Sequence, residues 1–284
     1  MKSHPFYPSF RNHSLDHLAN QVTDSLPADY SKEKSYRVNE NGFRGENFNP
    51  AAKKHIYVFG CSVTMGIGLN EDEIWCHHLR KLYCEFHGLR PDEVNLLNFG
   101  IGGGSNQEIS RNVMLQCSVK KPDLVVAQFS FPNRYEYLND GRFAAVGPWT
   151  PSAQWESEDL REQSSAHYQF QGDEQGSLDL VRNILCTQHF LAASRIDYLC
   201  WAVFSPRKLT SPIRALVRLI DRKRFLWMEQ ALRRLAFRNE FHSEREPKAA
   251  DGFHLGPTVH SVYAHLIWNR LLNRPLDRVT PATR

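Results

Sequence analysis

Three short apolar runs constrain this chain more than any other feature. They are IYVFG (56–60), VNLLNFG (94–100) and DLVVAQFS (123–130), and each closes on a glycine or polar residue. Helical patterns separate them, at about 71–87 (EDEIWCHHLRKLYCEFH) and 106–118. Strands joined through helices cannot pair as tight hairpins; the economical solution is a series of βαβ units feeding a parallel sheet. LDLVRNILCTQHFLAAS (178–194) reads as a further helix and IDYLCWAVF (196–204) as a fourth strand. A last helix, about 256–273, carries Val259, Val262, Tyr263, Leu266, Ile267 and Leu271 at helical spacing. The expected fold class is α/β: a three-layer α/β/α sandwich with a mainly parallel sheet of about five strands.

At 284 residues the chain suits one large domain. We divide it into an N-terminal arm (1–35), a main domain (36–273) and a C-terminal tail (274–284). Within the main domain, residues 133–176 lose the strand–helix rhythm and become an aromatic, acidic, Pro- and Gly-containing insertion, a length of connection that is usually functional or mobile. With 35 Lys and Arg against 31 Asp and Glu, the formal charge is only +4, so no nucleic-acid partner is expected. That mild average conceals segment 205–240, where ten basic residues face Asp221, Glu229 and Glu240, against a slightly acidic remainder. Its interleaved Leu, Ile, Phe and Trp predict a basic amphipathic helical stretch. Three readings stand for it: a solvated outer face, contact with an acidic partner or anionic substrate, and an anionic surface.

Six cysteines are too sparse for a disulfide framework, and none pair at metal-knuckle spacing. The first twenty residues lack the apolar core of a secretory signal, and nowhere do ~18 apolar residues run together. These points predict a cytoplasmic protein with reduced thiols and no transmembrane segment.

Chemistry-bearing residues concentrate where strands give way to turns. In FGCSVTMGIGL (59–69), Gly60 and Ser62 follow the first strand. A nucleophile on such a turn projects from the carboxyl edge of a sheet with backbone N–H groups around it; the other reading is a plain polar loop. A phosphate cradle is a weaker fit, since no Lys follows the glycines as a P-loop requires. In DGFHLG (251–256), Asp251 and His254 stand three apart, a spacing that lets a carboxylate orient an imidazole and equally suits a helix cap beside a surface histidine. In NFGIGGGSNQ (98–107), Gly102, Gly103 and Gly104 can aim N–H groups into a site or form a simple flexible turn, and Ser105 is placed to cap the next helix.

In this order, the three blocks resemble the SGNH hydrolases, the GDSL-type lipases and esterases. The resemblance covers about 36–130 and 178–273, including the upstream VNENGFRGENF (38–48). It implies an SGNH-hydrolase-like, flavodoxin-like fold and an esterase or deacylase acting on a small-molecule or carbohydrate-linked acyl ester. It also implies Ser62 as nucleophile, His254 as base, Asp251 as its orienting acid, and an oxyanion hole from Ser62, Gly103 and Asn133, with no cofactor and no metal. Acyl transfer by the same triad, and a catalytically silent binding protein of the same fold, are the alternatives. Two departures stand out: Cys61 replaces the Asp that usually precedes the serine, and Pro132 falls at the usual oxyanion Asn, putting Asn133 one residue late.

Cys61 as a thiol nucleophile and Cys76-His77-His78 as metal ligands are weaker readings, because neighbouring side chains diverge. His260 and His265 are expected to be packing or surface histidines. Arg44 either approaches the site or is solvated or ion-paired.

Overall fold

The computed structural model describes residues 22–23, 36–139, 142–152, 157–206, 209–238 and 240–273. The N-terminal arm apart from a two-residue strand, and the tail from 274, lie outside the described residues.

Nine strands are described: β1 (Val22–Thr23), β2 (Tyr36–Arg37), β3 (Lys54–Gly60), β4 (Val94–Gly100), β5 (Leu124–Phe129), β6 (Tyr135–Asn139), β7 (Arg142–Val146), β8 (Asp197–Ala202) and β9 (Phe225–Trp227). Eight α-helices accompany them: α1 (Ser62–Met65), α2 (Trp75–His87), α3 (Asn106–Val119), α4 (Glu158–Phe170), α5 (Asp173–Ala193), α6 (Ser211–Val217), α7 (Met228–Phe237) and α8 (Pro257–Leu271). Five strands form the central sheet in the order β4-β3-β5-β8-β9, every pair parallel. Among the described residues no helix is long and apolar enough to cross a membrane.

Strand periodicity builds the two cores. Ile56, Val58, Leu124 and Val126 point to one face, where they meet Leu79 of α2, Leu235 of α7 and Leu266 of α8. Tyr57, Phe59, Val125 and Ala127 point to the other and meet Val113 of α3 and Ile184 of α5. Helices on both faces explain why every residue of β4 and β5 is buried. The expected α/β/α sandwich is the architecture found.

The strand order reverses between β3 and β5, which places the exits of these two strands at a topological switch point. Crevices that bind ligands in open α/β sheets form there, beyond the carboxyl ends of the strands.

Three expectations change. The insertion is not irregular: β6 and β7 pair antiparallel, and Tyr135, Val146 and Leu160 bury a small separate cluster with α4. Helix α5 starts at Asp173, ahead of the 178 read from the sequence, with Gly176 inside it. A β-carbon at Gly176 would lie 2.5 Å from the Pro132 carbonyl oxygen, so only glycine lets the first turn of α5 pass beneath the loop leaving β5. The basic segment, in turn, is not one helical stretch. It folds as α6 and α7 with β9 between them, and β9 is the fifth strand of the sheet. Its basic and apolar residues alternate densely enough to look helical throughout, but Phe225 and Leu226 are buried at the sheet edge.

Candidate active site

Strand β3 delivers its chain to the switch point and turns into α1 at Cys61, which is extended (φ −95°, ψ −154°). Ser62 opens the four-residue α1, which closes on Gly66 in the left-handed region. Three side chains from distant parts of the chain secure this turn. Gln128, at the end of β5, accepts from the Cys61 N–H at 3.1 Å and the Thr64 hydroxyl at 2.8 Å, and donates to Cys61 Sγ at 3.2 Å. Asn98, near the end of β4, donates to the Thr64 carbonyl at 2.7 Å. Arg44, only 1% exposed, donates to the Met65 carbonyl at 3.1 Å, to the Gly66 carbonyl, and to the Leu69 carbonyl at 2.5 Å, with its guanidinium 4.1 Å from the centre of the Tyr36 ring. Burial lowers the Arg44 pKa to about 10. Arg44 is therefore neither solvated nor at the reacting atoms; it fixes the loop behind Ser62.

The second half of the site arrives with the turn before α8. Asp251 Oδ1 accepts from the Phe253 and His254 N–H groups, each at 3.0 Å, which closes the turn through a side-chain bond. The turn is docked on the loop after α1: the Ala250 N–H donates to the Gly68 carbonyl at 3.0 Å. Gly68 has φ +77°, and a β-carbon on it would lie 2.9 Å from Ala249 Cβ and 3.2 Å from the Asp251 nitrogen. A side chain at 68 would separate the two halves.

Docked this way, Asp251 Oδ2 is 2.5 Å from His254 Nδ1, and His254 Nε2 is 2.8 Å from Ser62 Oγ. A carboxylate can only accept, so Nδ1 carries the proton and Nε2 accepts from the Ser62 hydroxyl. Burial pushes the Asp251 carboxyl up, but the His254 ring and the His254 and Phe253 N–H groups outweigh it and hold the pKa below the ordinary value. Ser62 is 5% exposed and the Asp251 side chain 5%, while the His254 side chain keeps 23%.

The remaining residues singled out from the sequence fall as follows. Gly103 has φ +76° in the loop after β4, and a β-carbon on it would lie 3.5 Å from the Trp149 ring. Neither the Ser62 nor the Gly103 N–H has a hydrogen-bond acceptor among the described residues. Asn133 is exposed; its carbonyl accepts from the Tyr168 hydroxyl at 2.7 Å, and no hydrogen bond joins its amide to Ser62 or His254. Cys61 is buried against Gln128. Ser105 caps α3 by accepting from the Glu108 N–H at 3.0 Å. His260 is buried and accepts from the Trp75 N–H at 3.2 Å; burial, with His78, His254 and Arg44 adding to it, lowers its pKa to about 3, so it is a neutral acceptor at the start of α2. His265 bonds to the Ser261 carbonyl at 2.9 Å. Among the described residues no group of three or more His, Cys, Asp or Glu is placed to hold a metal ion.

Sequence reasoning passed over Gln128, Asn98, Asn106 and Arg134. For Gln128 and Asn98 the available signal is a polar side chain inside an apolar strand that is buried on both faces, where it needs a partner; Asn106 in α3 and Arg134 in the loop after β5 carry no such signal.

No family model matches the chain, and no curated protein matches it significantly. Among solved structures it is similar to a lipase/acylhydrolase from Enterococcus faecalis (15% identity, 81% of this chain and 100% of the other, TM-score 0.43). It is also similar to a catalytic mutant of an acetylxylan esterase from Geobacillus stearothermophilus (13%, 82% and 100%, 0.45) and to a psychrotrophic esterase from a Pseudoalteromonas species (11%, 78% and 97%, 0.44). Likeness at this level does not carry chemistry across; Ser62, His254 and Asp251 must carry it themselves.

Proposed function

We propose that this chain is a serine esterase or deacylase that hydrolyses an acyl ester on a small molecule or carbohydrate. The observation that carries the reading is the unbroken hydrogen-bond line from Asp251 through His254 to Ser62. His254 Nε2 takes the hydroxyl proton as Ser62 Oγ attacks the ester carbonyl, and Asp251 holds the ring in the tautomer that makes this work. The tetrahedral oxyanion is met by the Ser62 and Gly103 N–H groups, which have no other acceptor among the described residues. His254 then returns the proton to the leaving alcohol, and a water activated by the same ring releases the acid and restores Ser62.

Hydrolysis of a short-chain aryl ester tests this. Ser62→Ala is expected to lower kcat by at least about 10³-fold, and a fluorophosphonate should label wild type at Ser62 and leave the variant unlabelled. Equal rates, with no label on Ser62, would sink the assignment. The same acyl-enzyme would give its acyl group to an alcohol that arrived before water, so product analysis with a sugar acceptor present separates hydrolysis from transfer.

A further inference from the structure

One cation beside this site has no task in the chemistry above. Arg134 follows β5, four residues after Ser130, and lies over two aromatic rings, its guanidinium carbon 5.0 Å from the centre of Phe131 and 5.1 Å from that of Trp149. Trp149 is the ring that covers Gly103. The loop carrying Phe131 is clamped by Asn106, which accepts from the Ser130 N–H at 2.7 Å and donates to the Phe131 carbonyl at 3.1 Å. Cation–π contact with two rings holds a guanidinium in place, and such contact uses its π face and not its N–H donors, which can still serve an oxyanion. Arg134 has no ion pair among the described residues, and its Nη1 is buried without a hydrogen-bond partner. A buried, unsatisfied guanidinium N–H is costly, and a native site tolerates one where a ligand or water completes it. Burial alone would push the Cys61 thiol up; the Arg134 charge is the foremost influence drawing it below its ordinary value, which brings Arg134's field to within one residue of Ser62.

We infer that Arg134 is the recognition residue for an anionic group, a carboxylate or phosphate, carried by the ester that Ser62 attacks. The inference rests on the esterase reading for its ester, and the experiment separates the two. Ser62→Ala protein is titrated by calorimetry with 4-acetoxybenzoate, 4-acetoxyphenyl phosphate and the neutral methyl 4-acetoxybenzoate. At least one anionic ester is expected to bind about tenfold or more tightly than the neutral one, a difference of about 1.4 kcal/mol, and the tighter of the two identifies the oxyanion. Adding R134Q should erase the preference. R134K keeps the charge without the planar fork and guards against misfolding, so it should retain part of the preference. Equal binding of all three esters overturns the proposal, as does a preference that survives R134Q, or an R134K protein as indifferent as R134Q.

Turnover by the otherwise wild-type protein supplies the second readout. R134Q should raise KM for the anionic ester while leaving kcat on the neutral ester unchanged. An equal fall in kcat on both would make Arg134 a donor to the developing oxyanion and overturn anion recognition. If none of the esters is turned over but the Ser62→Ala preference for an anion persists and depends on Arg134, anion recognition stands and the esterase reading fails.

Discussion

Gln128 braces the turn that carries Ser62. Cys61 cannot accept strongly from the backbone, and the amide of Gln128 supplies the acceptor for the Cys61 N–H and the Thr64 hydroxyl from the neighbouring strand β5. Gln128→Leu keeps the bulk and removes both bonds, so we expect a loss of about 1–3 kcal/mol in urea unfolding and a lower kcat on an aryl ester, because α1 is no longer held in place. Glu108 gives a pH test at the same scale. Burial, reinforced by Glu136 and opposed by Arg111, raises its pKa to about 7. Between its ordinary carboxylate value and about 7 the folded protein therefore binds more protons than the unfolded chain, and stability falls as pH rises through that window. Glu108→Gln removes the titration, so its melting temperature relative to wild type should rise from pH 5 to pH 8; a difference that stays flat contradicts the shift. The residues legible in the sequence were those in local motifs: Ser62, Asp251 and His254 each sit in or beside a Gly-containing turn that advertises itself. Gln128 and Arg134 did not, because their meaning lies in partners brought close only by folding, Cys61 being 67 positions from Gln128. Pro132 and Asn133 illustrate the converse. Position counting carried an oxyanion role to Asn133, but the structure turns that residue outward, and Asn133→Ala is expected to change kcat/KM by less than about threefold.

Among the elements, the strands and helices of the sandwich were readable because burial on both faces leaves continuous apolar runs with few rivals. Hairpin β6–β7 was not. Its strands are short and half-exposed, and their apolar partners come from α4. Helix α5 was cut short for a related reason: a glycine at 176 reads as a breaker until the Pro132 carbonyl lying against it is known. The joint between the α1 loop and the turn before α8 is the element on which the site depends. Gly68→Ala introduces a left-handed strain together with a close approach to Ala249, so the 249–254 turn must shift away from Ser62. We expect kcat/KM on an aryl ester to fall by at least about tenfold while circular dichroism remains that of the folded protein. Unchanged kinetics would mean that the turn holds His254 without this contact.

For the molecule as a whole, the basic segment changes meaning once β9 is known to close the sheet. Phe225 and Leu226 are 4% and 3% exposed, and Met228, Ala231 and Leu235 of α7 are buried in the same core as β3 and α8. The segment is thus part of the fold, not an appendage, and only its exposed residues are available to a partner. Arg214 in α6, Arg218 just after it, and Arg233 and Arg234 of α7 are exposed, the two helices packing into opposite cores of the sandwich; Arg233 pairs with Glu229 at 2.6 Å, an exposed pair worth less than about 1 kcal/mol. Two perturbations should separate structure from surface charge. Leu226→Ala opens a cavity beside the edge strand and is expected to cost about 2–4 kcal/mol in denaturant unfolding. Reversing Arg214, Arg218 and Arg234 to Glu should cost less than about 1 kcal/mol, while cosedimentation with anionic vesicles reports whether that charge recruits a surface. If the charge reversal unfolds the protein, or Leu226→Ala leaves its stability untouched, the segment is not held by β9 in the way its burial requires.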